Sequence, residues 1–330
     1  MLKKPGIFVS IALVLSLVLG ACSSNQTSSK SEGKGESAKK SGKPYIAIIS
    51  KGFSQQYWQA VKKGADQAAA KYNVKITFDG PDNESQVDQQ VNMLHNALNK
   101  NPDAIGFAAL DTKAAMSYLQ QAKSRNIPII AFDSGVEGNI PVTTAATNNK
   151  AAGALAADKL AELIGKKGEV AVVAHDQTSK TGVDRRDGFV NEIKKKYPKI
   201  KIVDIQYGDS DILKSTDAAK AIMQSHPKLK GFYGTNENSA IGIDNAISET
   251  GKKGITVVGF DAGKQQLDAI KNGIEAGAIT QNPIGIGYAT VEAAVKVLKG
   301  QKVPKTIDTG FYWYDKSNMD SKKIKPLLYQ

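Results

Sequence analysis

The chain has 330 residues, with 44 lysines and arginines against 32 aspartates and glutamates, a formal net charge of +12. Its hydrophobic share of 41% suffices for a packed core and excludes a chain that is disordered throughout. The single cysteine, Cys22, excludes an intramolecular disulfide. The excess lysines fall in short runs such as Lys194-Lys195-Lys196, without an aromatic–basic stripe, so the charge reads as a solvated surface and nucleic acid is not an expected partner.

Residues 1–21 carry Lys3 and Lys4, then an apolar run from Ile7 to Leu19, and end Leu19-Gly20-Ala21 before Cys22. A basic start, a short apolar middle and small residues at the break form an export signal peptide, too short for a comfortable membrane span. Leu19-Gly20-Ala21-Cys22 resembles a bacterial lipobox, with an ordinary signal peptide as the alternative. The resemblance implies a lipoprotein: lipidation of Cys22, then a lipid anchor in the cell membrane on its extracytoplasmic face, as in surface lipoproteins of Gram-positive type. Residues 22–43 are mostly Ser, Lys, Gly and Glu without large apolar side chains, the composition of a disordered tether.

From Tyr45 onward, strand and helix signals alternate over a length that suits two α/β domains. Strands are expected at Tyr45–Ser50, Val74–Phe78, Ala104–Phe107, Ile129–Phe132 and Val142–Ala146. Helices are expected at Gln56–Lys71, Glu84–Asn99 and Ala114–Ser124, and from Asn149 to Ile164. A second series runs from Glu169–Val173 through Val183–Lys196, Lys201–Tyr207, Ile212–Gln224, Gly231–Gly234, Asn238–Glu249, Thr256–Gly259 and Lys264–Asn272 to Ala278–Thr280. Gln281-Asn282-Pro283 breaks the pattern, an amphipathic helix covers Ile284–Lys299, and Thr306–Tyr314 reads as extended. Repeated βα winding makes a parallel sheet covered on both faces.

Two strands end alike. Ile255–Gly263 (ITVVGFDAG) and Ile127–Gly135 (IPIIAFDSG) both run from an apolar strand into Phe-Asp, a small residue and glycine. Ligands of open α/β sheets bind outside the carboxyl ends of the strands. An aromatic face beside a carboxylate at that place suits a polyhydroxylated ring, while an N-cap for the following helix is the plain alternative for Asp261. His95, His175 and His226 lack metal-ligand spacing, so no metal and no cofactor are expected. No G-x-S-x-G or G-x-x-x-x-G-K motif is present, so an enzyme is not expected.

Further motifs are Ile48-Ile49-Ser50 followed by Tyr57-Trp58, Arg185-Arg186-Asp187-Gly188-Phe189, Gly234-Thr235-Asn236-Glu237 and Thr280-Gln281-Asn282-Pro283. With the two Phe-Asp endings, their order resembles the monosaccharide-binding proteins of bacterial ABC importers, the ribose- and galactose-binding group, over about Pro44 to Lys316. The resemblance implies the type I periplasmic-binding fold: α/β, two doubly wound parallel-sheet lobes joined by a three-segment hinge. The N-terminal lobe would comprise 44–147 with 282–308 and the C-terminal lobe 148–281 with 309–330. Crossings would fall near Ala146–Asn149, Gln281–Pro283 and Thr309–Phe311, with the ligand held between closing lobes.

Alignment on those motifs implies polar sugar contacts at Asp133, Arg185, Asn236, Asp261 and Gln281, with Gln55 where ribose-binding relatives carry asparagine. Tyr57, Trp58 and Phe260 fall at stacking positions, and Asp111 is a further candidate. Plainer roles stand beside these. Tyr57 or Trp58 could be core, Arg185 could pair with Asp187 or Asp209, Asn236 could cap a helix, and Gln281 could serve the hinge alone. Ser134 and Ser210 depart from the ribose pattern, whereas Lys51-Gly52 and Gly80-Pro81 look more like binders of rhamnose or autoinducer-2, and Trp313 is a candidate substitute aromatic. Implied partners are a monosaccharide and an ABC permease with its ATPase, and the protein is expected to be a monomer. A sugar sensor presenting its ligand to a membrane kinase or chemoreceptor is the alternative function.

Overall fold

The computed structural model describes residues 42–329. The signal peptide, Cys22 and all but the last two residues of the expected tether lie outside the described residues. Strands β1 (Tyr45–Ile49), β2 (Lys75–Asp79), β3 (Ala104–Phe107), β4 (Ile129–Phe132) and β5 (Thr143–Ala146) alternate with helices α1 (Gln56–Tyr72), α2 (Val87–Asn99) and α3 (Met116–Ser124). The chain then runs through α4 (Asn149–Leu163), β6 (Gly168–Ala174), α5 (Lys180–Lys196), β7 (Ile200–Tyr207), α6 (Ile212–Ser225), β8 (Leu229–Gly234), α7 (Glu237–Thr250), β9 (Thr256–Phe260), α8 (Lys264–Asn272) and β10 (Gly277–Gln281). Helix α9 (Pro283–Leu298), β11 (Thr306–Asp308) and β12 (Phe311–Tyr314) follow, and a short 3-10 turn lies at Lys325–Leu327.

The strands form two six-stranded sheets, in the orders β11-β5-β4-β3-β1-β2 and β12-β10-β9-β8-β6-β7. Strands β3 and β4 are buried at every residue, as expected of parallel strands covered on both faces. Helices α1 and α9 pack together against the first sheet, and Leu94, Leu98 and Leu119 of α2 and α3 fill its other face. In the second lobe α4 and α5 pair over one face, and α6 and α7 over the other. Each lobe is thus a three-layer α/β sandwich.

The two close helix pairs share one device. A Cβ on Gly64 would lie 1.9 Å from the carbonyl oxygen of Ile284, and one on Gly287 would lie 1.9 Å from that of Val61. At the α4–α5 crossing, Gly153 and Gly188 meet the carbonyls of Arg185 and Lys150 at 2.3 Å in the same way. The absence of a side chain sets both interaxial distances.

The chain changes sheets three times, at residues 147–148, at Asn282 and at 309–310. Several expectations need refining. The extended stretch 306–314 is two strands in different sheets, and β12 pairs antiparallel with β10, so the second sheet is not wholly parallel. Helix α5 begins at Lys180 because Ser179 caps it by accepting from the Gly182 N–H. Helix α2 begins only at Val87, leaving Glu84 in the preceding turn. Among the described residues no helix is long and apolar enough to cross a membrane.

Candidate functional site

The two Phe-Asp endings place their carboxylates by the same backbone geometry. Asp133 has φ of 54° and Asp261 φ of 84°, in the left-handed region that few non-glycine residues adopt and Asp tolerates. Each amide donates to a carbonyl within the neighbouring strand, Asp133 to Ala145 of β5 at 2.9 Å and Asp261 to Ile279 of β10 at 2.8 Å. The chain therefore turns sharply at each strand end, and both carboxylates are almost wholly buried.

In the first lobe, the Tyr57 hydroxyl donates to Asp133 Oδ1 at 2.6 Å. Lys51, the second residue after β1, places Nζ 3.6 Å from Asp133 Oδ2 and 3.6 Å from Glu84 Oε2. Glu84 also accepts from the Trp58 indole at 2.8 Å. In the second lobe, Arg185 donates to Asn149 Oδ1 at 2.8 Å and to the Thr235 carbonyl at 3.0 Å. Its guanidinium lies 3.9 Å from Asp261 Oδ2 and 3.7 Å over the Phe260 ring. Gln281 donates to Asp261 Oδ1 at 2.7 Å and accepts from Thr147 at the first crossing at 2.8 Å.

Buried polar contacts join the lobes. Lys51 Nζ donates to Thr181 at 3.1 Å, and Ser210 donates to Glu84 at 2.9 Å while accepting from Asn236 at 3.0 Å. A pocket of about 380 Å³ leads from Asp133, Thr147 and Asn149 to the surface beside Asp308. A groove of about 510 Å³ also lies between the lobes, lined by Gln55, Gln56, Glu237 and Lys264.

Charge in this space is balanced by neighbours. Burial alone would lower the Lys51 ammonium, but Glu84 and Asp133 outweigh it and hold the group above its ordinary value. Burial pushes Glu84 up, and Lys51 together with its other neighbours, including the hydrogen bonds from Trp58 and Ser210, more than offsets that, leaving it below the usual carboxylate range. Asp261 is raised by burial, against the pull of Arg185. Burial, then Lys51 and Arg185, depress His175 well below its ordinary value, so a neutral imidazole faces Thr235 at 2.7 Å and Thr181 at 3.2 Å. Glu237 is pushed up to about 8 by burial and then Asp261, so it is protonated at neutral pH.

Tyr57, Asp133, Arg185, Asn236, Phe260, Asp261 and Gln281 come together here, with Trp58 behind them. Trp58 is fully buried, and Phe260 turns one face to Arg185. Asn236 also caps α7 by accepting from Ser239, and Gln281 serves both the hinge and Asp261. Arg185 takes neither surface aspartate; Asp187 pairs with Arg186 and Asp209 with Lys214. Gln55 precedes α1, its side-chain oxygen buried without a hydrogen-bond partner among the described residues. Asp111 stands apart, bonding the backbone of Lys113 and Ala114 and lining a groove of about 370 Å³ with Thr178 and Asp184. Trp313 is also apart, bonding Asp315.

Sequence reasoning singled out Lys51 only in the Lys51-Gly52 pair, not as a site residue, and did not select Glu84, Thr181 or His175 for this cluster. Lys51 carried a usable signal, since it lies just beyond β1 on the same edge as the two aspartates. Glu84 carried none, because an acidic residue in a polar turn looks solvent-exposed.

The ribose import binding protein of Bacillus subtilis is 28% identical over 255 residues, covering 77% of this chain and 82% of the relative. The D-allose-binding periplasmic protein of Escherichia coli is 28% identical over 267 residues, covering 78% and 85%. Among solved structures, an ABC transporter solute-binding protein from Agrobacterium vitis bound with α-D-tagatopyranose superposes with a TM-score of 0.84 at 32% identity, over 87% of this chain and 100% of that one. Another from the same organism, with bound D-fucose, gives 0.83 at 34% identity, over 86% and 100%. The periplasmic binding protein domain model matches residues 46–302. The match covers most of the chain and agrees with its two type I lobes, so the chain belongs to the periplasmic-binding-protein family and is a binding protein, not an enzyme.

Proposed function

We propose that the protein is the extracytoplasmic substrate-binding subunit of an ABC-type sugar importer, capturing a monosaccharide between two closing lobes. One observation carries this reading: Asp133 and Asp261 enter one buried polar space from equivalent strand ends of the two lobes. A sugar offers many hydroxyls, each donor and acceptor, and carboxylates backed by Lys51 and Arg185 can bond several at once. The four relatives named above, whose names or bound ligands are ribose, allose, tagatose and fucose, support the same chemistry. In this reading the ligand contacts are Gln55, Tyr57, Asp133, Arg185, Asn236, Phe260, Asp261 and Gln281, with Lys51 and Glu84 added. Asp111 is the outlying member of the set and Trp58 supports Glu84.

The lobes in this proposal are 44–147 with 282–308 and 148–281 with 309–330, moving about the three crossings. Lipidation of Cys22 anchors the protein to the cell membrane, where as a monomer it delivers sugar to a permease and its ATPase. The test is a thermal-shift screen of residues 42–330 against pentoses, hexoses and deoxysugars, including D-ribose, D-allose, D-tagatose and D-fucose. A sugar at 100 times its dissociation constant adds about 2.7 kcal/mol of stability. A panel in which no sugar raises the midpoint would overturn the reading.

A further inference from the structure

We infer that Tyr329 is a positioning residue of the binding site, tying the Asp133 side of the cleft to the Asp261 side from behind; the inference rests on the sugar-site reading above. After β12 the chain does not leave the molecule. Met319 and Ile324 are buried in the apolar cluster that also holds Tyr57 and Ala262, and the Leu327 carbonyl accepts from Thr280 at 3.0 Å. This brings Tyr329, itself buried, to the back of the site.

Two contacts define what it does there. The Ala262 amide donates to the Tyr329 hydroxyl at 2.9 Å, and the Tyr329 amide donates to the Ala262 carbonyl at 3.3 Å. Ala262 directly follows Asp261, so both bonds brace the left-handed turn that aims the Asp261 carboxylate. The Tyr329 ring also meets Tyr57 edge-on, with centroids 6.0 Å apart and planes at 68°. Tyr57 is the donor to Asp133 Oδ1. One side chain thus contacts both the donor to Asp133 and the turn that carries Asp261. Because α1 belongs to the first lobe and the Ala262 loop to the second, the contact also spans the cleft.

The ring and the hydroxyl act on different partners, and substitution separates them. Tyr329→Phe keeps the edge contact and leaves the buried Ala262 N–H unpaired. Tyr329→Leu removes both. Calorimetric titration with the tightest binder among D-ribose, D-allose, D-tagatose and D-fucose is expected to show about three- to tenfold weaker binding for Phe and a larger loss for Leu. A residue that only adds stability would lower the ligand-free melting temperature and leave the affinity of the folded protein unchanged. Positioning through Tyr57 makes the affinity losses of Tyr329→Leu and Tyr57→Phe non-additive, whereas independent action makes them multiply. Asp261→Ala, titrated in parallel, separates the two claims. If it loses binding while both Tyr329 variants stay within twofold of the parent, Tyr329 does not position the site and the sugar reading stands; losses at 329 and 57 that multiply overturn the tie to the Asp133 side. If Asp261→Ala itself binds like the parent, the site reading falls and this inference with it.

Discussion

Asp133 and Asp261 are counterparts: each follows the phenylalanine that ends its strand, each holds a left-handed φ, and each donates its amide toward the adjoining strand. A non-glycine residue held in this region is costly and persists where its surroundings over-determine it. Here the turn directs a carboxylate into the space between the lobes, once from each side.

Replacing either carboxylate is expected to abolish its hydroxyl contacts. Asp133→Ala and Asp261→Ala should each weaken sugar binding by about 2–5 kcal/mol, roughly thirty- to several-thousand-fold. Asparagine tolerates the left-handed backbone better than alanine, so Asp→Asn isolates the chemistry from the turn. Titration calorimetry measures both, and binding within about threefold of the parent for the two alanine variants counts against the site.

Lys51 balances two buried carboxylates, those of Glu84 and Asp133. Lys51→Met removes the cation and leaves both buried carboxylates without it. The expected cost is about 3–5 kcal/mol in stability, read by urea denaturation of the ligand-free protein. The double variant Lys51→Met, Glu84→Gln should recover part of it, and failure to do so would show that the pairing is not what holds Lys51 in place.

Stability should fall as pH rises through neutrality. Burial, then Asp261, raises Glu237 to about 8, and burial raises Asp244 to about 7 in contact with Glu275, itself raised well above its ordinary value by burial and then Asp244. These folded values lie above those of the unfolded chain, near 4. The contribution of these groups is therefore complete below about pH 4 and is lost as pH climbs from there to about 7 and 8, at up to about 1.4 kcal/mol per pH unit for each proton that the folded chain holds and the unfolded chain has released. Denaturation midpoints between pH 5 and 9 check the slope, and Asp244→Asn should flatten it.

The glycine crossings make opposite-looking substitutions informative. In an exposed helix, glycine to alanine stabilises by about 1 kcal/mol. Gly64→Ala should instead destabilise, because its methyl would meet the Ile284 carbonyl, while sugar affinity stays near the parent value. Gly153→Ala pushes on the Arg185 backbone and should cost both stability and affinity. Thermal melts with parallel titrations distinguish them; a raised melting temperature for Gly64→Ala would show slack at the crossing.

Cys22→Ser should release the protein from the membrane fraction into the medium with its sugar binding unchanged. A variant that stays with the membrane would show that Cys22 is not the anchor.

Much of this was legible in the sequence, for identifiable reasons. Buried parallel strands are short apolar runs, and residues just past them lie at the site edge by topology, which is why the Phe132-Asp133 and Phe260-Asp261 pairs stood out. Lys51 sits in an equivalent place, but a lysine after a strand usually faces water, and only its neighbours Glu84 and Asp133 make burial tolerable. Trp58 reads as a stacking aromatic by position, yet its indole proton is used inside the lobe on Glu84. The direction of β12 and the return of Tyr329 depend on contacts distant in sequence, such as Ala278 with Tyr314 and Ala262 with Tyr329, which no local pattern encodes.

The return of α9 to the first sheet has a consequence for biosynthesis. Helix α9 packs on α1 and on β3, β4 and β5, strands laid down more than a hundred residues earlier, whereas α4 to β10 of the second lobe are made in one run and only β12 joins that sheet later. As the chain is made, its first-made sheet waits with part of one apolar face uncovered until residue 298 has been added. The half that is translated first is therefore closed only after most of the second has been made, and its closure relies on long-range contacts of the kind that fold slowly and expose chains to aggregation.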